Sequence, residues 1–405
     1  MSGSGLKQLE RIVFYLKNSP QKIPGFFKLA YRTRILKASQ LRRSGQNAQL
    51  PPLMTLTVNK RCNLRCVQCW EWGKNGAFLN ETPETLRDEL STREWLSLID
   101  EASAWKPYLY FIGGEPLLRK DICELISAAS RLGMLTSLNT NMTLITPALA
   151  DKIVLSGLDY LIASLDGPQE VNDRIRIGND VYNKVMTGLE ALMAAKKRHR
   201  SLLPMIEVCT TLTAENQDHL VETAELVDRL KVDYFRIQFG TFTTPELLKQ
   251  TEERMVREFN ARPKLFAGFV RDVSDIDPVR VEAAENEILN REWNFQYKRY
   301  PKGEVQGFNS TEYFRSPSRV FGEGKCHVPW KRAVIQPNGE VSGCAWLPEA
   351  KIGNIRQSSF RNLWNSPPMQ AFRNDLDKNG LFPTCSRCCD LYELDESRRF
   401  TSLKN

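Results

Sequence analysis

Three cysteines crowd into KRCNLRCVQCW, at Cys62, Cys66 and Cys69. Thiolates are the soft ligands that iron-sulfur clusters and zinc both accept, and a structural site of either kind normally uses four protein ligands. Three thiolates on one loop therefore describe a metal site with one coordination position left open. Only three histidines exist, His199, His219 and His327, so a fourth zinc ligand is hard to find near this loop, and the C-x3-C-x2-C spacing favours iron-sulfur. A second set is complete. Cys326 and Cys344 flank the hairpin signal Pro337-Asn338-Gly339, and Cys385, Cys388 and Cys389 follow in CSRCC. Cys326, Cys344, Cys385 and Cys388 make four thiolates, with Cys389 an alternative to Cys388. Zinc is the rival metal here. Cys123 and Cys209 stand apart in apolar surroundings and read as small buried thiols.

The elements that position these residues follow one rhythm from Leu53 onward. Short β-rich runs at 54–58, 108–112, 135–139, 160–165, 205–212 and 234–239 alternate with helical stretches at 92–105, 121–132, 147–156, 182–198 and 216–230. Six such units imply a parallel sheet with helices outside, either doubly wound or an incomplete barrel, and in both folds ligands sit beyond the C-terminal ends of the strands. Residues of chemical interest occupy those ends. The cysteine loop follows the first strand, Gly113-Gly114-Glu115-Pro116 the second, Asn141 the third, and Ser164-Leu165-Asp166-Gly167-Pro168, leading to Arg174 and Arg176, the fourth.

Taken together, these motifs resemble the radical S-adenosylmethionine (radical SAM) superfamily. The resemblance implies that Cys62, Cys66 and Cys69 bind three irons of a [4Fe-4S] cluster, while the amino and carboxylate groups of S-adenosylmethionine chelate the fourth. It implies that Gly113, Gly114, Glu115 and Pro116 serve the methionine amino group, Ser164 the ribose and Arg176 the methionine carboxylate. Asn141 stands where the family carries Asn-Gly, although Met142 replaces the glycine. The C-x12-G-x4-C opening at Cys326 resembles the SPASM domain and implies one auxiliary [4Fe-4S] cluster, since no cysteine follows Cys389. The expected fold is α/β, a partial (β/α)6 TIM-like barrel with a small C-terminal iron-sulfur domain. The expected chemistry is hydrogen abstraction from an unactivated carbon by a 5′-deoxyadenosyl radical, with electrons from a flavodoxin or ferredoxin. Four ligated auxiliary thiolates leave no open iron, which points to an electron acceptor or relay. The substrate reading leans to oxidation or epimerisation of a carbohydrate or other polar small molecule, with peptide or protein modification as the alternative. No acid, base or hydrogen donor is assigned.

Composition limits the rest. The chain has 405 residues and a formal charge of +8. Ten Lys or Arg precede position 46 against Glu10 alone, a local balance of +9 that leaves −1 for the remainder. The basic character belongs to an N-terminal arm, which argues against a nucleic-acid-binding body and leaves a zinc-stabilised binding protein as the rival class. Leu6, Leu9, Val13 and Leu16, then a segment near 26–36, read as two amphipathic helices packed on the body with a solvated basic face, or as a contact with an anionic membrane. No stretch has the length of a membrane span or the apolar core of a signal peptide, so the expected location is cytoplasmic or membrane-peripheral. The expected divisions are 1–52, a basic helical extension; 53–240, the barrel; 241–325, a connector covering the active site; and 326–405, the auxiliary-cluster domain.

Overall fold

The computed structural model describes residues 13–15, 17–31, 46–301 and 305–393. Six strands form from the six β-rich runs: β1 (Leu53–Thr57), β2 (Tyr108–Ile112), β3 (Thr136–Thr140), β4 (Tyr160–Ser164), β5 (Met205–Leu212) and β6 (Tyr234–Phe239). Each pairs in parallel with its successor, as crossover helices require. The intervening helices start where the sequence supplies caps. Ser91 and Glu94 close a capping box on Thr92–Ser103, and Thr146 accepts from Leu149 N–H at the head of Pro147–Leu155.

Four further strands extend this sheet. β7 (Gln296–Tyr300) lies in the segment expected as a connector and continues the sheet in parallel on β6. β8 (Arg332–Ile335) comes from the C-terminal cysteine region and pairs in parallel with β1. β9 (Glu340–Ser342) and β10 (Lys351–Asn354) then run back antiparallel. The hairpin between β8 and β9 turns on Gly339, whose φ of +85° is open to glycine at little cost. The resulting order is β10-β9-β8-β1-β2-β3-β4-β5-β6-β7.

Burial along the strands shows how this sheet curls. In β2, Leu109 and Phe111 are fully packed against helices, while Tyr108, Tyr110 and Ile112 are half-buried. β6 alternates in the same way. Tyr108, Tyr110 and Ile112 of β2 and Arg236 and Gln238 of β6 face an internal chamber of about 1620 Å³, which runs from the cysteine loop to the C-terminal region.

In the described part of the arm Lys17 and Lys28 are exposed, and one lysine departs from the expected solvated basic face. Lys22 is buried against Asp159, and Gly25 packs so closely on the Gly133 carbonyl that a Cβ would approach it to 2.7 Å. Phe26 and Phe27 beyond it are exposed. The remainder of the predicted arm helices lies outside the described residues. Among the described residues, no helix is long and apolar enough to cross a membrane.

Candidate active site

The Cys62–Cys69 loop is fixed by its backbone. Gly114 N–H donates to Asn59 O at 3.1 Å and Glu115 N–H to Arg61 O at 2.7 Å, while Val67 and Arg65 N–H donate to Ile175 and Ile177 O. This contact explains the glycines. A Cβ on Gly114 would meet Arg61 O at 2.3 Å, so the GGEP turn serves first to seat the cysteine loop. All three thiols line the chamber. Leu64 N–H points at Cys62 Sγ (3.4 Å) and Trp72 N–H at Cys69 Sγ (3.3 Å). Burial pushes the Cys62 and Cys69 thiols up to about 12 and raises Cys66 too. Such thiols keep their protons until a metal takes them, because coordinated cations invert this preference. Among the described residues no three His, Cys, Asp or Glu side chains meet as a single-ion site demands. Three half-buried thiols, two with N–H donors beside them, suit a cluster spread over several irons.

The other expected residues ring the same opening. Glu115 is buried as a brace: Oε1 accepts from Leu117 N–H (2.9 Å) and the Thr140 hydroxyl (2.8 Å), and Oε2 from Asn141 N–H (2.7 Å). Asn141 Nδ2 donates to Asn63 Oδ1 at 2.9 Å and lies 4.0 Å from Cys62 Sγ. Met142 holds a φ of +66°, so the conformation that glycine would adopt is kept despite the side chain. Ser164 ends β4 on the chamber wall. Arg176 lies 2.8 Å from buried Asp166, which also accepts from Gln68 and from Thr211 N–H. Its Nε is buried beside that carboxylate. Asp166 therefore ties the loop after β4 to β5 and to the cysteine loop.

Burial, working against the three hydrogen bonds, pushes Glu115 up to about 7. A raised carboxyl holds its proton more tightly folded than unfolded. Its contribution to stability is therefore full in acid and is lost as pH rises from the unfolded value of about 4.3 to about 7. Glu115→Gln turns an amide N–H toward one of three donors, with an expected cost of about 1–3 kcal/mol. Denaturation at several pH values should show both that loss and a shallower fall in stability across the window.

The C-terminal cysteines divide. Cys326, Cys344, Cys385 and Cys388 line one small enclosed cavity with Trp346 and Phe266. Cys389, at the head of the Cys389–Glu393 helix, lines the large chamber instead, with Asp390 and Glu393. Four thiols around one cavity, Cys388 buried and the others half-buried, fit a cluster, and Cys388 rather than Cys389 lies among them. Cys388→Ala should remove the auxiliary iron and Cys389→Ala should keep it, as read by iron and sulfide content. An aromatic contact joins the two cysteine regions. Trp70, next to Cys69, stacks on Phe269 (5.3 Å) and meets Trp346 edge-on (5.2 Å), two residues from Cys344.

Sequence reasoning missed the chamber's charged wall. Cys209 on β5, Arg236 on β6 and Lys298 on β7 face inward, with Glu207 beneath them and the Arg332–Asp390 ion pair across the gap. One signal was available. A parallel strand covered on both faces is apolar throughout, whereas MIEVCTTL and YFRIQF each carry a charge mid-strand.

Comparison with known proteins matches this geometry. The Radical SAM superfamily family model covers residues 56–227, and the SPASM iron-sulfur cluster-binding domain model covers 326–389. An AdoMet-dependent heme synthase of Oleidesulfovibrio alaskensis is 32% identical over 355 residues, 83% of this chain and 79% of that protein. A PqqA peptide cyclase of Rhizobium meliloti is 26% identical over 85% of this chain and 81% of its own. The crystal structure of Streptococcus suis SuiB shares the fold at a TM-score of 0.57 and 14% identity, over 81% of this chain and 68% of that one.

Proposed function

This chain belongs to the radical SAM superfamily and carries a C-terminal SPASM iron-sulfur domain, and from that premise we propose that it modifies a peptide or protein by hydrogen abstraction. Its cofactors are a catalytic [4Fe-4S] cluster, auxiliary iron-sulfur and S-adenosylmethionine. When bound, the reduced catalytic cluster supplies the electron that cleaves S-adenosylmethionine to methionine and a 5′-deoxyadenosyl radical. The chain's residues hold and orient: Cys62, Cys66 and Cys69 carry iron, Arg176 presents a guanidinium to the methionine carboxylate, and Ser164 faces the ribose. Cys326, Cys344, Cys385 and Cys388 hold the auxiliary cluster. A flavodoxin or ferredoxin delivers the electron.

The chamber carries the substrate reading. Its roughly 1620 Å³ exceeds the ~300–1,000 Å³ of ordinary small-molecule sites and leaves room for a chain segment beside S-adenosylmethionine. The earlier lean to a carbohydrate gives way, because the similar curated proteins include a peptide cyclase and heme synthases. A tetrapyrrole is the second reading, favoured by the 32% identity to a heme synthase. Anaerobic incubation with S-adenosylmethionine, reductant and deuterated candidates separates the two. Peptides from reading frames beside the gene should transfer deuterium into 5′-deoxyadenosine; transfer only from tetrapyrroles would overturn the peptide reading. Exposed Phe26 and Phe27 beside the basic arm support attachment to an anionic membrane surface, which vesicle sedimentation tests.

A further inference from the structure

One rung of the barrel crosses four strands. By register, Ser164 on β4 pairs with Cys209 on β5, Cys209 with Arg236 on β6, and Arg236 with Lys298 on β7. All four residues face the chamber. Ser164 and Arg236 are two strands apart, about 10 Å at the usual strand spacing.

Arg236 stands out on this rung. Its Nε lies 2.9 Å from Glu207 Oε1 but off the line of the N–H, so the buried Nε–H makes no hydrogen bond. The Tyr300 ring, 6.0 Å away, is a further neighbour. Glu207 Oε1 faces Arg236, and its Oε2 has two further partners. It accepts from the Tyr160 hydroxyl at 2.5 Å and from Lys298 Nζ at 2.9 Å. Lys298 is further held by Tyr160 Oη (2.6 Å) and by the face of the Tyr234 ring, 3.6 Å away. Across the chamber Arg332 pairs with two carboxylates, Asp390 and Glu393. One carboxylate thus serves two cations, Arg236 and Lys298, leaving a net charge of +1 on the rung, with Arg236 on the chamber wall.

A planar guanidinium edge matches a planar carboxylate in two parallel hydrogen bonds, and one surplus charge balances one monoanion. We propose that Arg236, steadied by Glu207 and flanked by Lys298, is a subsite for a carboxylate of the substrate. Resting on the radical SAM reading above, this subsite fixes the reacting carbon between Arg236 and Ser164. It serves an acidic side chain of a peptide or a carboxylate of a tetrapyrrole equally.

The test uses the full chain with reconstituted clusters and bound S-adenosylmethionine. One arm titrates coproporphyrin III and its tetramethyl ester, followed by Soret absorbance. The other titrates dansyl-labelled oligoglutamate and oligoglutamine, followed by anisotropy. At least one free acid should bind in preference to its ester or amide, and which acid binds names the source. Arg236→Gln should weaken that acid roughly tenfold or more, as loss of a charge-assisted pair implies, and Arg236→Lys should retain part of the affinity. Iron content and substrate-free cleavage of S-adenosylmethionine establish that each variant is folded. Equal binding of acid and ester, unchanged affinity in Arg236→Gln, or no binding of any carboxylate overturns the subsite. Failure of the wild-type chain to cleave S-adenosylmethionine would instead overturn the broader reading.

Discussion

Replacing Cys62, Cys66 and Cys69 together by alanine is expected to reduce formation of 5′-deoxyadenosine to background while the protein stays folded and coloured. The cysteine loop does not depend on its sulfurs for shape. It is held by the backbone bonds from Gly114, Glu115, Val67 and Arg65, and by Trp72 Nε1 donating to Lys60 O at 2.8 Å. Iron and sulfide should fall to the amount held by the C-terminal set, and the reduced protein should lose one of its two paramagnetic signals. The converse variant, Cys326→Ala with Cys344→Ala, should keep reductive cleavage of S-adenosylmethionine and lose product. Two variants with opposite losses would separate radical generation from the later fate of the electron. If the triple variant still cleaved S-adenosylmethionine, the role of the Cys62–Cys69 loop would have to be abandoned. On the triple-variant background all remaining iron is auxiliary, so the contrast between Cys388→Ala and Cys389→Ala is sharpest there.

Much of this site was legible in the sequence because it is built locally. Each strand announces itself by a short β-branched or aromatic run, and each motif follows its strand within a few residues. The strands at 108–112, 205–212 and 234–239 coincide with the predicted ones, and the others shift by a residue. What stayed hidden depends on pairing between distant segments. β7 reads QYKRY, too charged to be recognised as a strand until β6 offers it a partner. Arg236 and Lys298 become neighbours only through that register. Cys388 and Cys389 are adjacent in sequence and chemically identical. Only the start of a helix at Cys389 sends one thiol toward the enclosed cavity and the other into the chamber. Cys209 read correctly as a buried thiol, yet its place on the chamber wall beside Arg236 follows from strand direction.

The largest expected loss of stability comes from Asp159→Ala, at a residue no motif singled out. Asp159 precedes β4 and accepts from Thr136 N–H at 2.8 Å, so it joins the heads of β3 and β4. It also receives Lys22 Nζ at 2.8 Å on both oxygens and the Tyr15 hydroxyl at 2.8 Å. Lys22 is buried, and its one other hydrogen bond among the described residues is to Gly157 O. Removing the carboxylate leaves an ammonium charge out of water with a single neutral acceptor, for which a cost of about 3–5 kcal/mol is usual. Lys22→Met should cost less, because Asp159 keeps Thr136 and Tyr15 while the thioether fills the space of the lysine stem. Adding Lys22→Met to Asp159→Ala should therefore recover part of the loss, since the stranded charge is gone. Anaerobic denaturation of the four proteins measures this directly. Limited proteolysis should find the segment before residue 46 cut faster in Asp159→Ala than in Lys22→Met. A strictly additive cycle would mean that the arm is held by its apolar contacts alone, with Lys22 passively buried.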